Sequence, residues 1–307
     1  MEKVWDALII GSGPASLTCA IYTTRGAAST LILAGEVWGG QLMLTAEVDN
    51  FPGFPDGIDG PDLMTKMRKQ AERFGATILD KSATSVDFTK TPFEIFAGSE
   101  KYLAKTVVIA TGAQNVWLGV PGEKELIGRG ISTCAPCDAP FFKNKVVAVV
   151  GGGDTAMEES SVLTKYASKV YLIHRRDALR ASSLMQEKVK KNPKIEIIWN
   201  TVVREIVGTE KVEGLKLFNQ STNETSQLTV DGVFIAVGHK PESEIFKGII
   251  ETDERGFIKI QEGSKTNVPG VFVAGDVHDY RYKQAITAAG FGCMAALDTL
   301  QYLSENN

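Results

Sequence analysis

The sequence predicts a three-layer α/β fold in which two βαβ-type units share one chain and the second is inserted into the first. Three observations carry this. Two glycine-rich turns, opening at Gly11 and Gly151, each follow a short apolar strand and lead into a helical pattern. Two further apolar strands, Lys105 to Ala110 and Val233 to Val237, close on small residues and glycine, and proline- and glycine-bearing stretches follow, as a crossing between units requires. At 307 residues, 43% apolar and 23% charged, the chain has the composition of a soluble globular protein and the length for two cores. A formal net charge of −4 gives no basic field for nucleic acid, and no apolar run approaches a membrane span.

The first strand, Val4 to Ile10, begins almost at once and leaves no room for the regions of a signal peptide, so the chain is expected in the cytoplasm. It feeds Gly11-Ser12-Gly13-Pro14-Ala15-Ser16 and a helix through Tyr22. This is the turn of a Rossmann-like dinucleotide-binding unit: Gly11 makes the tight turn, Gly13 lets backbone approach a pyrophosphate, and the helix N-terminus favours the anion. Ser16 departs from the usual third Gly or Ala but is small enough for close packing. The second strand, Thr30 to Leu33, leads into Ala34-Gly35-Glu36-Val37-Trp38-Gly39-Gly40-Gln41. A ribose-binding acid usually closes that strand; here Ala34 holds the strand end and Glu36 comes slightly late. Phe51 and Phe54, in a rigid proline-rich run, either wall a cofactor pocket or pack locally. Asp62 to Phe74 has amphipathic helical spacing with Met64 and Met67 as core fillers. The segments Ile78 to Phe88 and Phe93 to Phe96 read as an antiparallel insert.

The second unit is the better formed. Lys145 to Val150 is a strand, Gly151-Gly152-Gly153-Asp154-Thr155-Ala156 is a full G-x-G-x-x-A, and Met157 to Tyr166 is helical. The next strand, Val170 to Ile173, ends in His174-Arg175-Arg176-Asp177, with Arg180 following. An acid there would bind a ribose 2′-hydroxyl, whereas Arg175, Arg176 and Arg180 can surround a 2′-phosphate with charge-assisted hydrogen bonds. NADPH is therefore favoured over NADH, with His174 expected to pack rather than ionise. Lys194 to Asn200 and Val212 to Phe218 read as strands around a polar tip, Asn219 to Gln227. Gly270 to Ala274 is a strand running into Gly275-Asp276-Val277, where the aspartate suits a cofactor hydroxyl. Lys283-Gln284-Ala285 then opens an Ala/Gly-rich helix.

Cys134-Ala135-Pro136-Cys137, with Asp138 beside it, suits a pair that cycles between dithiol and disulfide. A zinc site would need a second ligand pair. Cys19 and Cys293 are single, the histidines at 174, 239 and 278 are scattered, and no metal is expected. Cys19 and Cys293 are read as small buried packing residues.

Taken together, Gly39-Gly40-Gln41-Leu42, Glu47 to Gly53, Cys134 to Asp138, His174 to Asp177 with Arg180-Ala181, and Gly275-Asp276-Val277 through Gly290 resemble the low-molecular-weight thioredoxin reductases, in family order and over almost the whole chain. The resemblance implies a discontinuous FAD domain, residues 1–114 and 245–307, with the NADPH domain, 115–244, inserted and carrying the redox disulfide. By position, FAD would be held by Gly11, Gly13, Ser16, the run 34–41, Asn50, Gly275, Asp276, Lys283, Gln284 and Ala285. NADPH would be held by Gly151, Gly153, Asp154, Thr155, Ala156, His174, Arg175, Arg176 and Arg180. Cys137 would face the flavin and Cys134 would attack thioredoxin, with Asp138 as the acid/base, in a homodimer whose domains rotate about strands after Thr111 and after Ala236. Pro136, Ala139 and Pro140 depart from the family pattern and stiffen the backbone around the pair. Two alternatives stay open. One is a same-fold reductase of another thioredoxin-like or peroxiredoxin partner, although peroxiredoxin-reducing relatives usually carry an extra N-terminal part. The other is a flavin dithiol oxidase or redox sensor, which the arginine cluster disfavours.

Overall fold

Strand β1 (Val4–Ile10) forms where the first apolar run predicts it, and its last four residues are buried. Helix α1 (Pro14–Arg25) starts straight after the glycine turn, with Pro14 in its first turn, where a missing N–H costs no helical bond. The structure is a computed structural model that describes residues 2–45 and 47–306. β2 (Thr30–Leu33), α2 (Gly60–Arg73), β3 (Thr77–Leu79), β4 (Ser85–Asp87), β5 (Phe93–Ala97) and β6 (Glu100–Ile109) follow, and the chain leaves this unit through β7 (Ala113–Asn115). The second unit holds β8 (Ile131–Ser132), α3 (Ala135–Asp138), β9 (Val146–Gly151), α4 (Asp154–Leu163), β10 (Lys169–Ile173), α5 (Ser183–Lys190), β11 (Ile195–Ile198), β12 (Thr201–Val207), β13 (Gly214–Asn219), β14 (Glu224–Thr229) and β15 (Gly232–Ala236). The chain returns through β16 (His239–Pro241), which pairs with β7, and ends with β17 (Val271–Val273) and α6 (Ala285–Glu305). The two units are Met1–Gln114 with His239–Asn307, and Asn115–Gly238, so the return falls at His239 and not at the expected 245.

The first unit is built on a sheet of order β3-β2-β1-β6-β5-β4, with β17 on the other side of β6. β1, β2, β3, β6 and β17 run parallel, and β4, β5 and β6 pair antiparallel. The period-2 alternation of strand side chains sorts the residues onto two faces. Ile9, Ile32, Val108 and Phe272 face one way and pack with α1, α2 and α6 residues such as Leu17, Leu63 and Ala295. Leu8, Ile10, Leu31, Leu33, Val107 and Ile109 face the other core, with Phe246 and Ile258. Each such fully buried aliphatic contributes about 1.5–3 kcal/mol. Helices α1 and α6 touch backbone to backbone: a methyl on Gly292 would lie 2.1 Å from the Ala15 carbonyl oxygen.

The second unit has a parallel sheet of order β11-β10-β9-β15-β8 and a separate antiparallel sheet β12-β13-β14. Four sequence expectations change. The segment around Ile78 is β3, a parallel edge strand beside β2 and not part of the antiparallel insert, because α2 returns the chain to the sheet as a βαβ crossover. β12 follows β11 after the two-residue turn Trp199 and Asn200 (φ 53°), and the second part of the polar tip, from Glu224, belongs to β14, an edge strand with almost every residue exposed. Cys19 is fully buried as expected, but Cys293 is only half-buried.

Candidate functional site

In the first unit the glycine turn sits against the end of β6. Gly11 has φ +119°, and a methyl there would lie 2.2 Å from the Ala110 carbonyl oxygen. Beside Gly13, by contrast, a methyl would meet nothing within 4 Å. That is the open side a pyrophosphate needs. A methyl on Gly40 would come 3.6 Å from Gly13 Cα, and one on Gly275 would come 2.9 Å from Ala15 Cβ. The Gly39-Gly40 loop and the Gly275-Asp276 strand end therefore converge on the start of α1. Ser16 Oγ donates to the Gly11 carbonyl at 2.6 Å, so the departure from Gly or Ala at that position ties the turn to its own helix. Ser12, which no motif marks, donates to Ala34 O at 2.6 Å and accepts from Gly39 N–H at 2.9 Å. Its place between the two glycines was the one available signal.

The loop 34–41 runs from buried Ala34 to exposed Glu36, Val37, Gly40 and Gln41. Gly35 N–H donates to Lys81 O at 3.1 Å, and Glu36 N–H donates to Ser82 Oγ at 3.2 Å. Trp38 is half-buried beneath the Arg68 guanidinium, 4.7 Å from the ring centroid. Arg68 is held by Asp80 through two bonds of 2.8 and 3.1 Å. Nothing in the spacing of α2 marks Arg68 for this role. Phe51 and Phe54 lie 6.4 Å apart and pack on the helical core. Asn50 Nδ2 donates to Gln284 Oε1 at 3.3 Å, and Ala285 opens α6. Lys283 has φ +48°, its N–H bonds to Asp279 Oδ2 at 3.1 Å, and its Nζ lies 3.0 Å from His239 Nδ1. Burial, with the neighbouring Lys283 cation, pushes the His239 pKa down to about 4. The imidazole is therefore neutral and accepts the lysine proton.

Asp276 tests whether a flavin nucleotide fits here. Its Oδ1 is buried and has no hydrogen-bond partner among the described residues. Burial, reinforced by Asp279 and opposed by Lys283, pushes its carboxyl up to about 7. A buried acceptor without a donor is costly, and a ligand hydroxyl would supply that donor. With open space at Gly13 and the start of α6 close in sequence, the residues present fit such a group.

In the second unit a methyl on Gly151 would lie 2.4 Å from Ala236 O and 2.7 Å from Ala156 Cβ, whereas one on Gly153 would meet nothing within 4 Å. The contrast repeats that between Gly11 and Gly13. Buried His174 has Nδ1 at 3.0 Å from Gly151 O and Nε2 at 3.0 Å from Ala178 O, and a methyl on Gly152 would collide with its ring at 2.1 Å. Gly152 O accepts from Arg180 N–H at 2.8 Å and from Ala181 N–H at 3.2 Å. The ring and these bonds pin the arginine loop to the glycine turn. Arg175, Arg176 and Arg180 are exposed, and none forms an ion pair among the described residues. Three cations beside a phosphate-cradling turn fit a 2′-phosphorylated dinucleotide. Asp154 accepts from Ser182 N–H (2.8 Å) and Oγ–H (3.0 Å), and Thr155 is half-buried on the first turn of α4.

Cys134 and Cys137 are joined in a disulfide with Cα atoms 5.4 Å apart. Between them α3 makes a single turn, with Pro136 exposed in it and the N–H groups of Cys137 and Asp138 bonded to Cys134 O at 3.2 and 3.1 Å. Pro140 likewise opens a 3₁₀ turn and is exposed, while Ala139 is fully buried. Burial pushes the Asp138 carboxyl above the usual carboxylate range, and a hydrogen bond with Ser132 opposes the shift. Ser132 Oγ also accepts from Cys134 N–H at 3.0 Å. Buried Glu159 on α4 accepts from Ala135 N–H at 3.0 Å. Neither Ser132 nor Glu159 stands out in the sequence, since both act through contacts that only folding creates. Among the described residues no cluster of His, Cys, Asp and Glu could hold a metal ion, and no helix is long and apolar enough to cross a membrane.

Two glycine-turn nucleotide units and a vicinal disulfide define a flavin- and nicotinamide-linked disulfide oxidoreductase. The chain belongs to the pyridine nucleotide-disulphide oxidoreductase family, whose model matches residues 5–292. It is 50% identical to the thioredoxin reductase of Streptomyces clavuligerus over 99% of this chain and 95% of that protein. It is 48% identical to the thioredoxin reductase of Rickettsia prowazekii over 99% of this chain and 100% of that protein. The solved thioredoxin reductase of Giardia duodenalis superposes with a TM-score of 0.94 at 41% identity, over 99% of this chain and 100% of that one.

Proposed function

We propose that this protein is a thioredoxin-disulfide reductase that passes electrons from NADPH through FAD to the Cys134–Cys137 disulfide and on to oxidised thioredoxin. The observation that carries the reading is the vicinal disulfide with a half-buried carboxyl of raised pKa directly after it, on the unit whose glycine turn is flanked by three arginines that form no ion pair among the described residues. When bound, NADPH supplies a hydride and FAD hands the electron pair to the disulfide. Gly11, Gly13, Ser16, residues 34–41, Asn50, Gly275, Asp276, Lys283, Gln284 and Ala285 hold the flavin nucleotide. Gly151, Gly153, Asp154, Thr155 and Ala156 cradle the second pyrophosphate, and Arg175, Arg176 and Arg180 take the 2′-phosphate, with His174 holding the loop that carries them.

The residues of the pair then divide the exchange. Cys134, once a thiolate, attacks a sulfur of the thioredoxin disulfide and releases the other partner sulfur. Cys137 attacks Cys134, releases the second partner sulfur and restores the intramolecular bond. Asp138 protonates the departing thiolate, and burial shifts its pKa upward, the direction this role needs. The reading includes a homodimer and a cytoplasmic, reducing setting; the two free thiols, Cys19 and Cys293, suit the latter.

The test is anaerobic addition of NADPH to the flavin-loaded protein, with and without thioredoxin. NADPH alone should bleach the visible flavin band, and oxidised thioredoxin should restore it with stoichiometric loss of NADPH. A band that NADPH leaves unchanged, or bleaching that thioredoxin cannot reverse, would overturn the assignment. Running a peroxiredoxin-type disulfide partner beside thioredoxin reads out the acceptor.

A further inference from the structure

Gln186 lies half-buried on α5, the helix that follows the arginine loop. Its carboxamide nitrogen donates to the Ala181 carbonyl at 2.9 Å and to the Leu179 carbonyl at 3.3 Å. Those are the residues on either side of Arg180. Leu179 and Ala181 are buried and pack in one core cluster with Met185, whereas Arg180 between them is exposed. The alternation is that of an extended segment, in which successive side chains point to opposite sides. The Gly152 carbonyl accepts from the N–H groups of Arg180 and Ala181, so the backbone that carries Arg180 is held both by the glycine turn and by α5. We propose that Gln186 is a positioning residue for NADPH: by holding the carbonyls on both sides of Arg180 it fixes the direction in which the guanidinium is presented to the 2′-phosphate, and so adds to the preference for NADPH over NADH.

The proposal rests on the second unit binding NADPH and names a part of that site that the arginines do not themselves supply. An arginine on a loose loop loses backbone as well as side-chain freedom when it closes on a phosphate, whereas a fixed backbone leaves only the side chain to order. Arg176 is tied differently, its own carbonyl accepting from Asn200 N–H at 3.1 Å. A carboxamide suits position 186. Its nitrogen faces two carbonyl oxygens, while its Oε1 accepts from Lys190 Nζ at 3.2 Å. A carboxylate would set an acceptor against two acceptors, and an apolar side chain would take this donor from both carbonyls. The helix from which Gln186 reaches is itself anchored, since Asp154 on the first turn of α4 accepts from the N–H and hydroxyl of Ser182 just before α5.

The test is calorimetric titration of the oxidised, flavin-loaded protein with NADP⁺ and with NAD⁺. Both ligands are oxidised, so no hydride passes, and the ratio of their dissociation constants reads the 2′-phosphate contact alone. Gln186→Met keeps the length and bulk of the side chain and removes the donor. It should weaken NADP⁺ binding about tenfold, the worth of two neutral hydrogen bonds, and leave NAD⁺ binding within about twofold of the parent. In an Arg180→Gln background the same substitution should change the ratio by less than about twofold, because the group that Gln186 positions is gone. Equal weakening of both ligands would mark general damage to the unit, and a full tenfold loss in the Arg180→Gln background would place the effect elsewhere; either result overturns the proposal, as does a ratio that Gln186→Met leaves unchanged. Gln186→Leu, also neutral and without a donor, takes its place should Gln186→Met not fold. A parent protein that binds NADP⁺ and NAD⁺ equally would refute the NADPH reading of the second unit and the proposal with it. A parent that discriminates, beside a variant that discriminates equally well, overturns the proposal alone.

Discussion

Replacing Asp276 by Asn should make the FAD-free protein more stable at alkaline pH and less dependent on pH, while weakening its hold on FAD. In the folded protein the carboxyl titrates at about 7 against an ordinary 3.8, chiefly because burial penalises its charged form. Between those two values the folded state keeps a proton that the unfolded chain has released, so stability falls as pH rises through this window and levels off above 7. From pH 5 to pH 8 the folded group crosses two units of that window at about 1.4 kcal/mol each, a loss of about 3 kcal/mol that an amide cannot show. His239, His278, Asp279 and Lys283 surround the site and are common to both proteins, so the comparison between parent and variant removes their contribution. The assay is urea unfolding of the apoprotein and of Asp276→Asn at both pH values. The parent should lose about 3 kcal/mol more than the variant over that range. FAD should diminish the parent's pH dependence, because a ligand hydroxyl gives the buried oxygen its missing donor. Equal losses in parent and variant would refute the reasoning, as would undiminished FAD affinity in the variant.

Asp138→Asn should slow the exchange with thioredoxin by about 10²–10⁴-fold and leave flavin reduction by NADPH near its parent rate, with rapid-mixing absorbance separating the two steps. Equal slowing of both would count against a proton-transfer role. Substituting Gln for Arg175, Arg176 and Arg180 together should cut kcat/KM for NADPH by tenfold or more and leave that for NADH nearly unchanged, since hydrogen bonds to charged groups contribute about 1.5–3 kcal/mol each. Gly11→Ala and Gly13→Ala should part company. The first meets the Ala110 carbonyl from a left-handed φ and should lower apoprotein stability by at least about 1–3 kcal/mol. The second enters open space and should leave apoprotein unfolding unchanged while reducing FAD retention on gel filtration.

What the sequence made legible was local. A glycine turn between a buried strand and a helix is written in consecutive residues, so β1 with α1 and β9 with α4 fall where they were expected. β14, Glu-Thr-Ser-Gln-Leu-Thr, is polar on both faces because it is an exposed edge, and apolar periodicity has nothing there to register. β12 does alternate in burial, but only Trp199 and the αL residue Asn200 separate it from β11, too brief a break to announce a reversal. The site divides in the same way. Cys134, Cys137, Asp138 and the arginines are recognisable by spacing, whereas Ser12 and Glu159 bond to residues 27 and 24 positions away, and Arg68 and Ser132 are placed by contacts made only on folding.

The two nucleotide turns share a plan, and the difference between their surroundings accounts for two kinds of occupant. Around the first turn the anchors point inward. Ser12 and Ser16 bind backbone, Gly275 presses on α1, and Asp276 presents a buried oxygen that no described residue satisfies. A ligand that completes such a site removes a desolvation cost, and its departure restores that cost, which favours long residence. Around the second turn His174 and the Gly152 carbonyl fix the loop, but the groups left for a ligand are three solvent-exposed guanidinium groups. Their attraction is screened by salt, and water hydrates them again at little cost when the ligand leaves. The first arrangement suits a resident flavin and the second a nicotinamide donor exchanged at every turnover. Raising ionic strength should accordingly increase KM for NADPH while leaving FAD content unchanged, and parallel loss of both would show that the two sites do not differ in this way.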